Sequence, residues 1–150
     1  MSIALMNKTK TTRPTKTGLQ RSWYILDASK EPLGRLSSVA ARLLVGKNLA
    51  NYASDVDMGG ILVIINADKI VLTGQKAIKK NYFRHSGRIG SLKITSFPEQ
   101  MAKDSRVPLY KAIKGMLPKN RHQDLRMNNR VHIFKGDHNF TNSAQMIVAN

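Results

Sequence analysis

The sequence contains no cysteine, and this absence excludes three kinds of site at once. Disulfide bridges, thiolate zinc centres and thiol nucleophiles all require a cysteine sulfur. Long apolar runs are also missing, since no stretch approaches the roughly 20 apolar residues that a membrane-spanning helix needs. The 150 residues, 41% of them hydrophobic, therefore predict one globular domain with its own hydrophobic core.

Acidic residues are scarce, and their scarcity points to the kind of partner. Nine Asp and Glu residues face 25 Lys and Arg residues, which gives a formal net charge of +16. A free domain with this charge repels itself, so a polyanion that compensates it is the natural partner. Without a membrane-spanning run, nucleic acid is favoured over a membrane.

The sequence also lacks the usual motifs of catalysis and cofactor binding. Gly46-Lys47 has neither the earlier glycine nor the following Ser or Thr of a phosphate-binding P-loop. There is no G-x-G-x-x-G after a predicted strand, no G-x-S-x-G, and no zinc-ligand spacing among the histidines. We therefore predict no enzyme activity, no cofactor and no metal.

The few acids leave one enzymatic alternative open. Asp55 and Asp57 resemble a paired-carboxylate metal site, but two carboxylates underfill an octahedral shell, and turn or capping roles are favoured. Asp27 and Asp68 end apolar runs, where a carboxylate commonly accepts hydrogen bonds from loop N–H groups. The alternative is an α/β enzyme that acts on a phosphorylated substrate through Asp27, Asp55 or Asp57.

Strand-like and helix-like segments alternate along the chain. Strands are predicted at 22–28, 60–67, 70–74 and 130–136, and helices at 31–48, 97–104 and 107–120. In the first helix Leu33, Leu36, Val39, Ala40, Leu43 and Leu44 form an apolar stripe. Residues 75–95 are predicted to form a basic loop or hairpin, and the tail from 137 to 150 a surface loop. The fold class is α/β, with one compact domain over residues 22–150.

Residues 1–21 differ from the rest in composition. They contain five Lys and Arg residues, many threonines and no acid, which is typical of a solvated or RNA-following arm. A transit peptide is the competing interpretation, although no clear amphipathic helix is present. The opening "MSIALM" is too short for the apolar region of a secretory signal.

Two later segments concentrate positive charge. Residues 76–93 contain six Lys and Arg residues and no acid, and residues 106–135 contain eight against Asp124 alone. Ordinary surfaces intersperse both signs, so both segments predict phosphate contacts. Tyr82 and Phe83 could stack on unpaired bases, but as neighbours in a strand they face opposite sides, which predicts that one belongs to the core.

Residues 87–90, Gly-Arg-Ile-Gly, match the G-X-X-G loop with which KH domains clamp a single-stranded backbone. A KH loop joins two helices, whereas polar "RHS" and "SLK" flank these glycines. A KH-like single-strand binder therefore stays an alternative.

Five segments in this order and spacing resemble the large-subunit ribosomal protein L13 family, bacterial type. They are "WYILDASKEPLGRLSSVAARLLVGKN", "YASDVDMGGILVIINADKIVLTGQK", "YFRHSGRIGSLK", "AIKGMLPKNR" and "VHIFKGDHN". The resemblance implies a three-layer α/β/α domain with a mainly parallel four-stranded sheet. It also implies a structural role in a cytoplasmic bacterial ribosome, with an organellar ribosome as the alternative. The implied partners are large-subunit ribosomal RNA, bound early in assembly, and neighbouring ribosomal proteins.

The resemblance also implies which residues contact RNA. These are Arg84, His85, Ser86, Gly87 and Arg88; Lys114, Gly115, Met116, Lys119, Asn120 and Arg121; Lys135, Gly136 and His138; and Arg35 and Lys47. One departure from the family pattern is "HQDLRMNN" at 122–129, where a Gly-containing basic run is usual.

Overall fold

The computed structural model describes residues 14–15, 19 and 21–137, together with the backbone of 146–148. Strands and helices alternate along this part of the chain. In order they are β1 (Trp23–Asp27), α1 (Leu33–Val45), β2 (Ile61–Ile65), α2 (Lys76–Lys79), β3 (Asn81–Arg84), β4 (Lys93–Ser96), α3 (Phe97–Lys103), α4 (Arg106–Met116), α5 (Arg121–Arg130), β5 (Val131–Ile133) and β6 (Met146–Val148). A short 3-10 turn, Ala67–Lys69, follows β2.

The main sheet has the strand order β5-β2-β1-β6, and every neighbouring pair is parallel. Tyr24 lies in register with Leu62, and Leu26 with Ile64, so all four point to the same side. They form the sheet side of the hydrophobic core. This mixture of helices with a mainly parallel sheet agrees with the predicted α/β class.

Helix α1 packs on this face of the sheet through the predicted apolar stripe. The stripe residues are buried, apart from a half-buried Val39, and the opposite face carries exposed Arg35 and Arg42. Gly46 ends the helix in the left-handed region (φ 86°), where its N–H donates to the carbonyl of Arg42 at 3.1 Å. The predicted stop at Gly46 is confirmed, because this conformation favours glycine.

Helix α4 packs against α1 on the same core. Leu109 and Ile113 are fully buried, and Leu117 follows just after the helix ends. Pro118 comes next and cannot continue a helix, as the sequence predicted. Met127 of α5 reaches the same cluster. The core therefore lies between one face of the parallel sheet and α1, α4 and α5.

The basic segment 75–95 contains an antiparallel hairpin, one of the two forms predicted for it. Strands β3 and β4 pair from Asn81 with Ser96 to Arg84 with Lys93. Ser96 also caps α3, since its hydroxyl accepts from the Glu99 N–H at 3.4 Å. The predicted helix start at Pro98 and Glu99 is confirmed.

The strand predicted at 70–74 is wrong. Only Val71 makes a bridge, to Pro32, and its carbonyl accepts from the Leu33 N–H at 3.0 Å. The segment therefore runs beside the start of α1 instead of joining the sheet. Its β-branched composition reflects packing near α1, and composition alone does not distinguish the two placements.

The surface loop predicted for the tail is also wrong in part. Met146–Val148 forms β6, which pairs in parallel with β1, so the strand predicted at 130–136 is not the last one. Three residues are too few to show a periodicity, and this strand depends on the free edge of β1.

Helix α5 has no counterpart among the predicted elements. Its sequence, "RHQDLRMNNR", is almost entirely polar, and only Arg126 and Met127 are buried. A helix with so narrow an apolar stripe gives little hydrophobic periodicity. Tertiary contacts hold it in place instead, as the ion pairs described below show.

Gly59 and Gly60 allow the chain entering β2 to pass closely against its neighbours. A Cβ atom on Gly59 would lie 1.7 Å from the carbonyl oxygen of Leu44, at the end of α1. A Cβ on Gly60 would lie 2.5 Å from the Ser22 carbonyl oxygen and from the Tyr24 ring. Both approaches involve backbone, so a side chain at either position displaces an element of the core.

Substitution of Gly59 by alanine should be strongly destabilising. We expect Gly59→Ala to lower the free energy of unfolding by about 3 kcal/mol, the upper end for overpacking, because the Leu44 carbonyl belongs to helix backbone. Chemical denaturation followed by circular dichroism measures the change. The matched control is Gly34→Ala, where no atom lies within 4 Å of the added Cβ. That change, on exposed helix, should stabilise by about 0.5 kcal/mol. Equal effects from the two variants would contradict the close packing.

Candidate nucleic-acid interface

The turn between α4 and α5 gathers most of one predicted contact segment. An open hollow lies at this turn and is here called the α4–α5 surface. It is lined by Lys111, Lys114, Gly115, Lys119, Asn120 and Arg121. The Gln123 side-chain amide donates to the Lys114 carbonyl at 2.5 Å and holds the turn closed. Lys111 is an addition to the predicted set, although it belongs to the same basic run.

Asp124 lies at the rim of this surface and pairs with Lys114. Its carboxylate is 2.9 Å from the Lys114 ammonium, both side chains are largely exposed, and hydrogen bonding and charge raise the pKa of Lys114. An exposed pair of this kind contributes little to stability. A phosphate can therefore replace Asp124 as the partner of Lys114.

A second hollow joins the end of α4 to α1. Met116 and Pro118 lie opposite Arg42 and Lys47, and the Ser38 hydroxyl is 3.4 Å from the Met116 sulfur. Lys47 and Met116 were predicted as contacts and are brought together here. Arg42 was not predicted as a contact. Its position one full heptad after Arg35, on the exposed face of α1, was the signal that could have identified it.

The loop of the β3–β4 hairpin presents the predicted residues from Arg84 to Arg88. All five are exposed, and Gly87 has a left-handed backbone (φ 88°). The Gly87 N–H donates to His85 Nδ1 at 2.8 Å. Neither arginine forms a salt bridge with a residue that the structure describes. Their guanidinium groups are free to meet phosphates.

The G-X-X-G at 87–90 lies at the tip of this antiparallel hairpin. A KH loop joins two helices, so the matched residues do not have the backbone context of a KH clamp. The KH-like interpretation loses its structural basis here.

Tyr82 connects the hairpin to the α4–α5 surface. The Lys111 ammonium lies 4.6 Å from the centre of the Tyr82 ring, and the Lys80 ammonium lies 5.5 Å from it. Tyr82 is half-buried, and burial raises the pKa of its phenol. Two basic segments that are separate in sequence therefore meet around one aromatic ring.

The prediction that Tyr82 and Phe83 face opposite sides is confirmed, but neither belongs to the hydrophobic core. Tyr82 packs under the two lysines, whereas Phe83 points outward and is 65% exposed. The expected core position is wrong because the hairpin is a two-stranded layer outside the main sheet.

Lys135 and Gly136 lie at a different place. Their carbonyls accept from the N–H groups of Asp68 and Asn66 at 3.1 and 3.0 Å, at the carboxyl end of β2 and β5. The pKa of Asp104 is lowered mainly by its hydrogen bonds with Arg106 and also by the charge of Lys135, which places Lys135 near the start of α4. The turn between α4 and α5 is at the other end of that helix, about 15 Å from its start at 1.5 Å per residue. His138 falls outside the described residues.

Two cations of the 106–135 run are structural. Asp57 accepts hydrogen bonds from Arg126 Nε at 3.0 Å and from Arg130 Nη1 at 3.1 Å, and it forms a second bond with Arg130 Nη2. Arg21 lies beside them and donates to the Gly59 carbonyl at 2.6 Å. Asp57 therefore has an ion-pair role that was not predicted, since turn and capping roles were favoured. Its partners are 69 and 73 residues away, beyond any local sequence signal.

Other acids also have structural partners. Asp104 binds the Arg106 guanidinium through both oxygens, and Glu99 pairs with Lys103 one turn along α3. Asp27 accepts from the Ser29 N–H at 3.0 Å and from the Asn66 amide at 3.0 Å. Burial alone would raise the pKa of Asp27, but these hydrogen bonds lower it below its usual value. The predicted loop-binding role of Asp27 is confirmed.

Within residues 14–15, 19 and 21–137, no cluster of three or more His, Asp or Glu side chains is placed to hold a metal ion. In the same part of the chain, no helix is both long enough and apolar enough to cross a membrane.

The Asp57 ion pairs should make stability depend on pH. Burial would raise the pKa of Asp57, but the hydrogen bonds and charges of Arg130 and Arg126 lower it overall. A carboxyl group whose pKa is lower in the folded chain than in the unfolded chain stabilises the fold. This stabilisation is fully present above the pKa of the unfolded chain, about 3.9, and is lost as the pH falls through the pKa of the folded chain. We expect Asp57→Asn to destabilise by about 3 kcal/mol at pH 7, because the buried Arg126 and the half-buried Arg130 lose their counter-charge.

Unfolding in urea from pH 7 down to pH 2 measures this difference, which should shrink below about pH 4. Asp124→Asn is the control, since it removes an exposed pair and should change stability little. A difference that stays constant across the whole pH range would contradict the assignment.

The sequence profile of the family described as Ribosomal protein L13 matches residues 21–139. The Large ribosomal subunit protein uL13 of Crocosphaera subtropica is 46% identical over 112 residues, 75% of this chain and 74% of that protein. The protein of the same name from Thermobifida fusca is 47% identical over 111 residues, 74% of each chain. The one from Ureaplasma urealyticum is 43% identical over 118 residues, 79% of each chain.

Proposed function

Since the chain belongs to the ribosomal protein L13 family, we propose that its basic hairpin and α4–α5 surface bind large-subunit ribosomal RNA. The chain is a structural constituent of the large ribosomal subunit, and it is not an enzyme. Binding of ribosomal RNA and a part in early subunit assembly are general for this family.

One observation carries the proposed location of the interface. Lys111 of the α4–α5 surface packs on Tyr82 of the hairpin, so two acid-poor segments form adjoining parts of one surface. The paired acids Asp57 and Asp104 are committed to arginines elsewhere. The cations that face solvent on the hairpin and the α4–α5 surface are thus left for phosphates.

The mechanism follows from the groups that this surface offers. Lysines of the α4–α5 surface neutralise phosphates as point charges, while the planar guanidinium groups of Arg84 and Arg88 donate to two oxygens at once. Gly87 and Gly115 have no side chain and let an RNA backbone approach closely. Contacts of this kind recognise the shape of folded RNA more than its sequence.

Further sites and finer features belong to the same proposal. Arg35, Arg42, Lys47 and Met116 extend the surface along α1, and Lys135, Gly136 and His138 form a separate contact.

The domain over residues 22–150 has the three-layer α/β/α arrangement with a four-stranded sheet, and residues 1–21 form an RNA-following arm. The ribosome is the cytoplasmic one of a bacterium, where neighbouring large-subunit proteins are further partners. The packing of α1 and α4 on one sheet face supports the first two layers.

Sedimentation tests the function itself. The tagged chain, expressed in bacteria, should remain with the large subunit through a high-salt wash and stay absent from the small subunit. Release of the chain into the soluble fraction at the salt concentration where other large-subunit proteins are retained would overturn the assignment to the ribosome.

Salt dependence tests the location of the interface. For every phosphate that a variant no longer binds, the slope of log affinity against log salt should fall by about 1. We expect Lys119→Ala with Arg121→Ala to lower the slope for large-subunit ribosomal RNA by about 2, measured by filter binding. Lys103→Ala is the matched control, because Lys103 is paired with Glu99. An unchanged slope in the double variant would remove the α4–α5 surface from the interface.

A further inference from the structure

The outward face of the β3–β4 hairpin is apolar and uncovered. Phe83 and Ile94 are directly opposite each other in the pairing of the two strands, and they are 65% and 56% exposed. Leu92 and Ile89 of the adjoining loop are exposed too. Large apolar side chains gathered on an exposed surface indicate a binding site more often than chance exposure.

The two faces of the hairpin differ in chemistry. On the inward face Tyr82 is aligned with Thr95 and Arg84 with Lys93, and Tyr82 lies under Lys111. On the outward face Phe83 is aligned with Ile94. This alternation is the one expected of a strand with two distinct partners, one for each face. The inward partner is helix α4 and its lysines.

The positive charge of the segment around Phe83 indicates which kind of molecule binds the outward face of the hairpin. Residues 76–93 contain six Lys and Arg residues and no acid, and Arg88 in the loop that follows β3 is exposed. A polyanion is therefore complementary to this face, while a protein would need an acidic rim to approach it. An exposed aromatic ring on a strand of a basic, acid-free segment is the arrangement with which several RNA-binding folds stack unpaired bases.

We propose that Phe83 stacks on an unpaired base of the bound RNA. Ile94 lies beside the ring as its cross-strand neighbour, and Arg88 of the exposed loop that follows β3 binds a phosphate next to that base. This inference rests on the proposed function. It adds a contact with an RNA base, whereas the lysines and arginines contact only the phosphate backbone of the RNA. The occupant of the face is a nucleotide in a loop, a bulge or an end, because a base within a helix does not expose its plane.

The test uses the full chain and transcribed large-subunit ribosomal RNA. Phe83→Ala and Phe83→Leu should each weaken binding about tenfold, since a stacked base depends on the aromatic plane. Phe83→Trp should retain the affinity, and its fluorescence should be quenched on binding relative to the wild-type chain, in which Trp23 is the one tryptophan. None of the three should change the salt slope, because no charge is altered.

Controls separate this inference from the proposed function and from folding. Leu125→Ala removes an apolar side chain of similar exposure on α5 and should leave affinity unchanged. Thermal unfolding of each variant should stay close to wild type, since Phe83 is outside the core. Failure of the wild-type chain to bind this RNA would overturn the proposed function.

Normal wild-type binding with undiminished affinity in Phe83→Ala and Phe83→Leu would overturn the stacking alone. Weakened binding in Phe83→Ala with full retention in Phe83→Leu would also overturn stacking, because it would indicate simple apolar contact. If instead the Phe83→Ala chain binds RNA normally but its large subunits lack a neighbouring protein, the face is covered by protein and the inference is wrong.

Discussion

The ion pairs of Asp57 with Arg126 and Arg130 hold α5, and with it the α4–α5 surface, in place. Helix α5 has almost no apolar surface, so hydrophobic burial contributes little to its position. Asp57 precedes β2, and its carboxylate ties two arginines about one turn apart, in the second half of α5, to the segment that enters β2. The α4–α5 surface exists because α5 is held there. A single partly buried carboxylate thus positions a turn that is rich in exposed lysine and arginine.

The distribution of the acids decides which cations are available to RNA. Asp57, Asp104 and Glu99 each pair with arginine or lysine side chains and take those cations out of the exposed set. The hairpin has no acid, and its arginines face solvent. The exposed cations of the hairpin are therefore not neutralised by these three acids. The cation–π contact between Lys111 and Tyr82 then joins the hairpin to the helices behind it.

Local sequence patterns predicted the elements in which many apolar residues follow one pattern. The apolar stripe of α1 and the continuous apolar run of β2 both appear as expected, since each buries many side chains on one core. Helix α5 and strand β6 were not predicted. The first is stabilised by an acid 69 residues away, and the second by the open edge of β1. The segment at 70–74 had the composition of a strand but lies beside α1, because sheet pairing depends on neighbours and not on composition alone.

Composition and local pattern were enough to establish the α/β class, the basic excess, the absence of catalytic motifs and the family. Each of these depends on residue content or on residues close together in the chain. Which cations are structural became clear from the folded chain alone, since Arg126 and Arg130 look no different in sequence from Lys119 and Arg121. The same holds for Tyr82, which packs inward, and Phe83, which stays exposed. The physical reason is that electrostatic pairing and burial depend on distances in space, and the fold brings together residues that the chain keeps far apart.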